Sequence, residues 1–231
     1  TNGYFSLESD MPYDVILNNT EITSLTNVPL NLSKNVERNI IIANGTTNIL
    51  SDSEDSDGKA VINSKGATNI SGFGSLTINA NKKHGISADN DININGATIS
   101  INHSADASKG LKSDCNIMIT DGDVNIVSSG TLTLEALDLG YDATYCTSIG
   151  ADGNFEMRGG KLNITLPVSN EAGRGIKTDG DISISGGEIN IVSHSGGDTY
   201  TNSDGEIDSY KSSCIKADGN IYLYDGNITL L

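Results

Sequence analysis

Five aspartates return at matching places along this 231-residue chain: Asp89, Asp114, Asp152, Asp179 and Asp218. Asp91 and Asp181 stand two residues beyond two of them, and Asn116, Asn154 and Asn220 take that place in the other copies. Stacked one strand spacing apart, roughly 4.8 Å, such carboxylates repel one another unless a cation sits between them. Calcium accepts about six to eight oxygens, mixing carboxylates, amide oxygens and turn carbonyls. The column therefore predicts one or more Ca2+ ions clamped between repeats. Two other readings compete: aspartate favours turns through its own backbone hydrogen bonds, and Lys112, Lys177 and Lys216, each two residues before an aspartate, can neutralise the column as ion pairs.

Other groups add to this chemistry. The run Tyr200 to Asp208 echoes an EF-type loop from its third position, with Asn202, Asp204, Gly205 and Asp208. Tyr200 stands where the first ligand belongs, and Lys211 where a bidentate Glu belongs. A loop calcium and a plain acidic loop both fit. Tyr141, Tyr145, Tyr200 and Tyr210 fall in the two longest insertions; their rings suit stacking on pyranose faces, or pinning the loops to the body. Lys112, Lys177 and Lys216 are candidate carbohydrate contacts. With calcium beside a uronate, one of them as base would give β-elimination. An unperturbed lysine is a poor base near neutrality, which favours binding over catalysis.

Several classes are excluded. The net charge of -16 argues against nucleic acid, whose phosphates need Lys and Arg. His84, His103 and His194 make no zinc spacing, and no Ser-His-Asp or phosphate-loop signature is present. No run is long and apolar enough to span a membrane. Cys115, Cys146 and Cys214 form no CxxC pair and are read as unpaired.

The elements that must position these groups follow from a repeat. Ile62, Ile86, Leu111, Ile149, Ile176 and Ile215 recur at steps of 24, 25, 38, 27 and 39 residues. Within a unit the apolar residues alternate, as in Ile92, Ile94, Ile99 and Ile101. Period two means short strands with one buried face. One unit cannot bury its own row, but stacked units can. The expected fold is all-β: a right-handed parallel β-helix, a solenoid with coils of about 24 residues. It is one domain over 1–231, with irregular N-terminal coils at 1–58 and regular repeats at 59–231. The length variation always follows a third strand, at 102–109, 127–148, 166–174 and 192–213, so the long loops should leave one corner. The best helix candidate is Leu132 to Leu139, inside an insertion.

The pattern Gly-Ile-Lys-x-Asp-Gly-Asp-Ile-x-Ile-x-Gly-Gly-x-Ile-x-Ile, complete at 175–191, has copies at 86–101, 111–126, 149–164 and 215–230. With the opening at 13–33 and 40–50 and the link at 51–60 into 72–78, it resembles a bacterial carbohydrate-binding family. That family is typified by clostridial surface proteins that bind cellulose and acidic sugars. It is similar in fold to family-nine pectate lyases and carries calcium. Ser87 and Gly150 depart from it, standing where the motif has Lys. The resemblance implies a secreted or cell-surface protein, its signal peptide removed, binding plant cell-wall polysaccharide (cellulose or polygalacturonate) on a calcium-stiffened β-helix. An acidic chain should repel polygalacturonate, so that ligand would need bridging Ca2+. A calcium-dependent pectate lyase is one alternative. A structural subunit is the other, stacking end to end into a fibre through the open edge left at Leu231.

Overall fold

The computed structural model describes residues 2–231. Short runs of alternating apolar residues form strands, and each strand pairs in parallel with its counterpart one turn away. The first face is an eight-stranded sheet: Phe5–Leu7, Leu30–Leu32, Ala60–Ser64, His84–Ala88, Lys109–Ser113, Thr147–Ala151, Arg174–Thr178 and Ser213–Ala217. An eleven-stranded sheet supplies the second and third faces. Long strands such as Ile92–His103 and Ile117–Ser128 cross both faces, and their ladder shifts register at the bend. Gly96 and Gly122 make that bend at φ 99° and 111°, angles cheap only for glycine. A Cβ on Gly122 would run into the Gly96 carbonyl oxygen of the turn below.

The core is what the repeat requires. Ile62, Ile86, Leu111, Ile149 and Ile176 lie in register and are fully buried. The parallel β-helix expected from the sequence is therefore the fold. Of the N-terminal part expected to be irregular, residues 2–58 wind in the same register: Val15 pairs with Ile40, Leu17 with Ile42, and Glu21 with Ile49. What disguises them is Arg38, a fully buried cation at the head of its strand. It donates to the Tyr13 hydroxyl at 3.0 Å and to the Val36 carbonyl at 2.6 Å.

All long insertions leave the corner between third and first faces, as expected. Two of them are antiparallel hairpins, Thr133–Ala136 with Tyr141–Thr144 and Gly197–Thr201 with Ile207–Lys211. A bridge between Tyr141 and Asn202 ties one hairpin to the other. Leu132 to Leu139, the best helix candidate in a chain with little that favours helix, is not helical, and no helix occurs among the described residues. A segment that short cannot nucleate one alone, and the Leu137 N–H closes a turn onto the Gly140 carbonyl at 2.7 Å instead. At the far end Leu223 and Leu230 are exposed, whereas their register partners Ile184 and Ile191 are buried.

Candidate functional site

Asp89, Asp114, Asp152, Asp179 and Asp218 do stack on one corner, each backbone N–H donating to the turn below at 3.0–3.1 Å. Their carboxylates are mostly taken by lysines. Lys65 pairs with Asp89 at 2.6 Å, Lys112 with Asp114, and Lys177 with both Asp179 and Asp218, the latter at 3.1 Å. The Lys177 hydrogen bond holds the Asp218 carboxyl below its ordinary range. Asp91 and Asp181 belong to a separate turn ladder. Asp91 Oδ1 accepts from the Asn116 backbone and amide, both at 3.0 Å; Asp181 Oδ1 accepts from the Asn220 backbone at 2.7 Å. Asn116 and Asn154 bond the rungs between them.

These residues do not fit the expected calcium clamp. Ammonium groups already meet the charge at Asp89, Asp114, Asp179 and Asp218, and N–H donors occupy Asp91 and Asp181. Among the described residues no three carboxylate, imidazole or thiol side chains converge as a metal cage. The EF-like set is likewise locally engaged. Asn202 Oδ1 accepts the backbone N–H groups of Asp204 and Glu206, both at 3.0 Å, while Asp208 caps Ser209 at 2.7 Å. Asp204 sits in the hairpin turn, and Asp208 on a strand opposite Tyr200. The three cysteines are free.

The insertion corner builds a different site. A cleft of about 240 Å³ opens between the first face and the first hairpin, lined by Lys109, Tyr145, Gly150, Asp152, Arg174 and Lys177 among others. Register assembles it. Lys109, Thr147 and Arg174 share a column at the head of the first-face strands. Lys112, Gly150, Lys177 and Lys216 share the next outward one. Gly150 interrupts the lysine column for a reason visible in space: a Cβ there would lie 2.8 Å from Lys109 Cδ. The bare backbone makes room for the Lys109 stem. Burial, then Lys112 nearby, lowers the Lys109 pKa, and Asp152 opposes this. Burial also lowers that of Arg174. Neither Lys109 nor Arg174 has a carboxylate within ion-pair distance among the described residues.

The four insertion tyrosines share this corner but not one open wall. Arg174 covers one face of Tyr145, its guanidinium carbon 3.2 Å from the ring centroid. Tyr200 and Tyr210 lie against each other, centroids 6.0 Å apart and tilted by 39°, both half-buried. Tyr141 is exposed within the hairpin bridge. Lys216 is exposed one rung above Lys177.

Sequence reasoning missed Lys109 and Arg174. The signal was there: each stands two residues before an apolar marker, in Lys109-Gly110-Leu111-Lys112 and Arg174-Gly175-Ile176-Lys177. Attention to the lysine after the marker hid the cation before it.

Comparisons with known proteins agree with this architecture. A carbohydrate-binding domain-containing protein from Acetivibrio thermocellus is 32% identical over 95 residues, 38% of this chain. The chain spans about a third (33%) of that relative's length. A solved polysaccharide lyase-like protein from C. thermocellum, a gadolinium derivative, superposes with a TM-score of 0.59 at 22% identity. The superposition covers 78% of this chain and 73% of that one, and shows the fold. The family model of carbohydrate-binding domain-containing proteins matches residues 2–231, and to that family the chain belongs.

Proposed function

We propose that the chain binds a uronate-bearing plant cell-wall polysaccharide at the insertion corner, outside the cell or on its surface. One observation carries the reading. In a chain of net charge -16, Lys109 and Arg174 stand in one cleft beside Tyr145 with no carboxylate in ion-pair distance of either, while Lys177 there is already paired with Asp179 and Asp218. Guanidinium and ammonium groups pair with carboxylates through strong charge-assisted hydrogen bonds. They supply directly what a bridging calcium was expected to supply, so the acidic surface elsewhere need not repel the ligand. Tyr145 and the hairpin residues Ala143 and Thr144 line the same cleft and would border a bound sugar ring.

The test is affinity electrophoresis or calorimetry on polygalacturonate over a salt series, for the chain and its Lys109→Ala and Arg174→Ala variants. Binding that weakens with salt and with either substitution supports the reading. Binding indifferent to both ends it.

A second reading rests on Lys109 itself. Burial and like-charge neighbours make it a better base than an ordinary lysine, and Asp152 and Arg174 line the same cleft. If the chain were a lyase, polygalacturonate would gain an unsaturated, ultraviolet-absorbing product that Lys109→Ala loses. Binding without product keeps the first reading.

A further inference from the structure

The two insertion hairpins end in one shared tip. The Leu137 N–H closes one turn onto the Gly140 carbonyl at 2.7 Å, and the Asn202 N–H closes the other onto the Glu206 carbonyl at 2.8 Å. The turns meet backbone to backbone. A Cβ on Gly140 would run into the Asn202 carbonyl oxygen, and one on Gly205 would lie 3.8 Å from Leu139 Cβ. With the bridge between Tyr141 and Asn202, this contact makes the tip one preformed surface rather than two independent loops.

Three aliphatic side chains crown it. Leu137, Leu139 and Ile207 are 50%, 66% and 78% exposed, and none belongs to the core. The turns close through backbone groups and the Asn202 amide oxygen, so a polar residue would serve the fold as well at each of the three places. An exposed apolar patch of this kind marks an interaction surface. Its border is acidic. Asp138 stands between the two leucines, and Glu206 and Asp208 flank Ile207. The hairpin segments 133–144 and 197–210 carry three and four carboxylates, with no Lys, Arg or His. None of these carboxylates is in an ion pair among the described residues.

The charge selects the occupant. A second copy would set like charge against like, as would an anionic membrane. A surface that brings ammonium or guanidinium groups around an aliphatic patch meets both features at once. We propose that the joined hairpin tip is a docking surface for a basic polypeptide, one presenting aliphatic side chains flanked by Lys or Arg. The preformed tip lowers the ordering cost of that contact. The proposal goes beyond the sugar-binding reading and does not depend on it. Ala143 and Thr144, at the base of the first hairpin, line the cationic cleft, whereas the tip is the other end of the same ribbon.

Fluorescence anisotropy of the full chain with a labelled Leu–Lys peptide tests this, the leucines lining one face of a helix and the lysines flanking them. Oligolysine and a Leu–Glu peptide of equal length are the controls. The Leu–Lys peptide binds more tightly than oligolysine, and the Leu–Glu peptide does not bind. Leu139→Ser and Ile207→Ser, on separate hairpins, each weaken the Leu–Lys peptide by roughly five- to tenfold, the worth of one partly buried aliphatic side chain. Phe73→Ser, at a position 82% exposed beside the bend between the second and third faces, leaves it unchanged. Asp138→Asn combined with Glu206→Gln flattens the salt dependence. Melting midpoints and polygalacturonate binding stay at the parent's values in all these variants, so a failed tip and a failed cleft are separately visible. The proposal is overturned if Leu139→Ser and Ile207→Ser bind the peptide as the parent does. It is equally overturned if Phe73→Ser weakens the peptide as much, because attraction to the acidic surface at large then suffices. A dimer of the chain alone in sedimentation, dissolved by Ile207→Ser, overturns it in favour of a second copy.

Discussion

Acid sensitivity follows from the rung beneath the insertion corner. His103 is 1% exposed and sits between two serines, Nδ1 2.7 Å from Ser108 Oγ and Nε2 2.5 Å from Ser128 Oγ. Ser108 donates to the Ala105 carbonyl at 2.5 Å, so it accepts the Nδ1–H. Ser128 then donates to Nε2 and accepts from Ser148 at 2.6 Å. The neutral ring satisfies every partner, whereas a second ring proton would face a donor. Burial lowers the His103 pKa from 6.5 to about 3. The folded pKa lies below the unfolded one, so the unfolded chain takes the proton first. Stability is complete above about pH 6.5 and falls as pH drops through that value toward 3. At about 1.36 kcal/mol per unit the whole difference is roughly 5 kcal/mol, of which about 2 kcal/mol is lost by pH 5. His84, lowered to about 3 by burial and by Lys83 and Lys109 among others, adds in the same sense. Asp52, raised by burial, acts oppositely, its contribution growing as pH falls. Urea unfolding at pH 7.5 and 5.0 measures the loss, and His103→Gln, whose amide can both donate and accept, should remove about half of it. A midpoint unchanged between the two pH values would refute the reasoning, as would a His103→Gln slope equal to that of the parent chain.

Other expectations are independent of that rung. Lys109→Ala and Arg174→Ala should each weaken polygalacturonate binding by about tenfold or more at low salt, the scale of one charge-assisted hydrogen bond, with the difference shrinking as salt rises. Gly150→Ala should lower the same affinity while leaving the thermal midpoint close to the parent's, because the clash is with the flexible Lys109 side chain rather than with backbone. Gly122→Ala should cost at least about 2 kcal/mol, combining a disfavoured positive φ with a clash against the turn below; calorimetric melting reads this directly. Chelation should shift neither the melting midpoint nor polygalacturonate affinity, and a clear drop in either would show that the aspartate corner holds calcium after all.

The fold was legible because a solenoid writes one pattern repeatedly. Alternating Ile pairs, such as Ile92 and Ile94, and paired turn glycines specify strand, face and period together, and the apolar markers at Ile86, Leu111, Ile149 and Ile176 all arrive at the buried register they predict. Side-chain pairing was less legible. The aspartate column is real, but whether Lys177 reaches Asp179, Asp218 or a ligand depends on rotamers that spacing does not fix. Tyr145 was placed on the right corner from sequence. That Arg174 would cover its face could not be seen, because the contact crosses two insertions of unequal length. The turn at 137–140 shows the same limit: Leu132 to Leu139 is helix-like by composition, and the partner strand Tyr141–Thr144 decides otherwise.

Backbone amide shifts of the isotopically labelled chain, titrated with a short oligogalacturonate, test the central claim most directly. The cleft predicts the largest changes at Lys109, Tyr145, Gly150, Arg174 and Lys177, with the second face silent. Changes confined to the second face, or none at millimolar ligand, would contradict it.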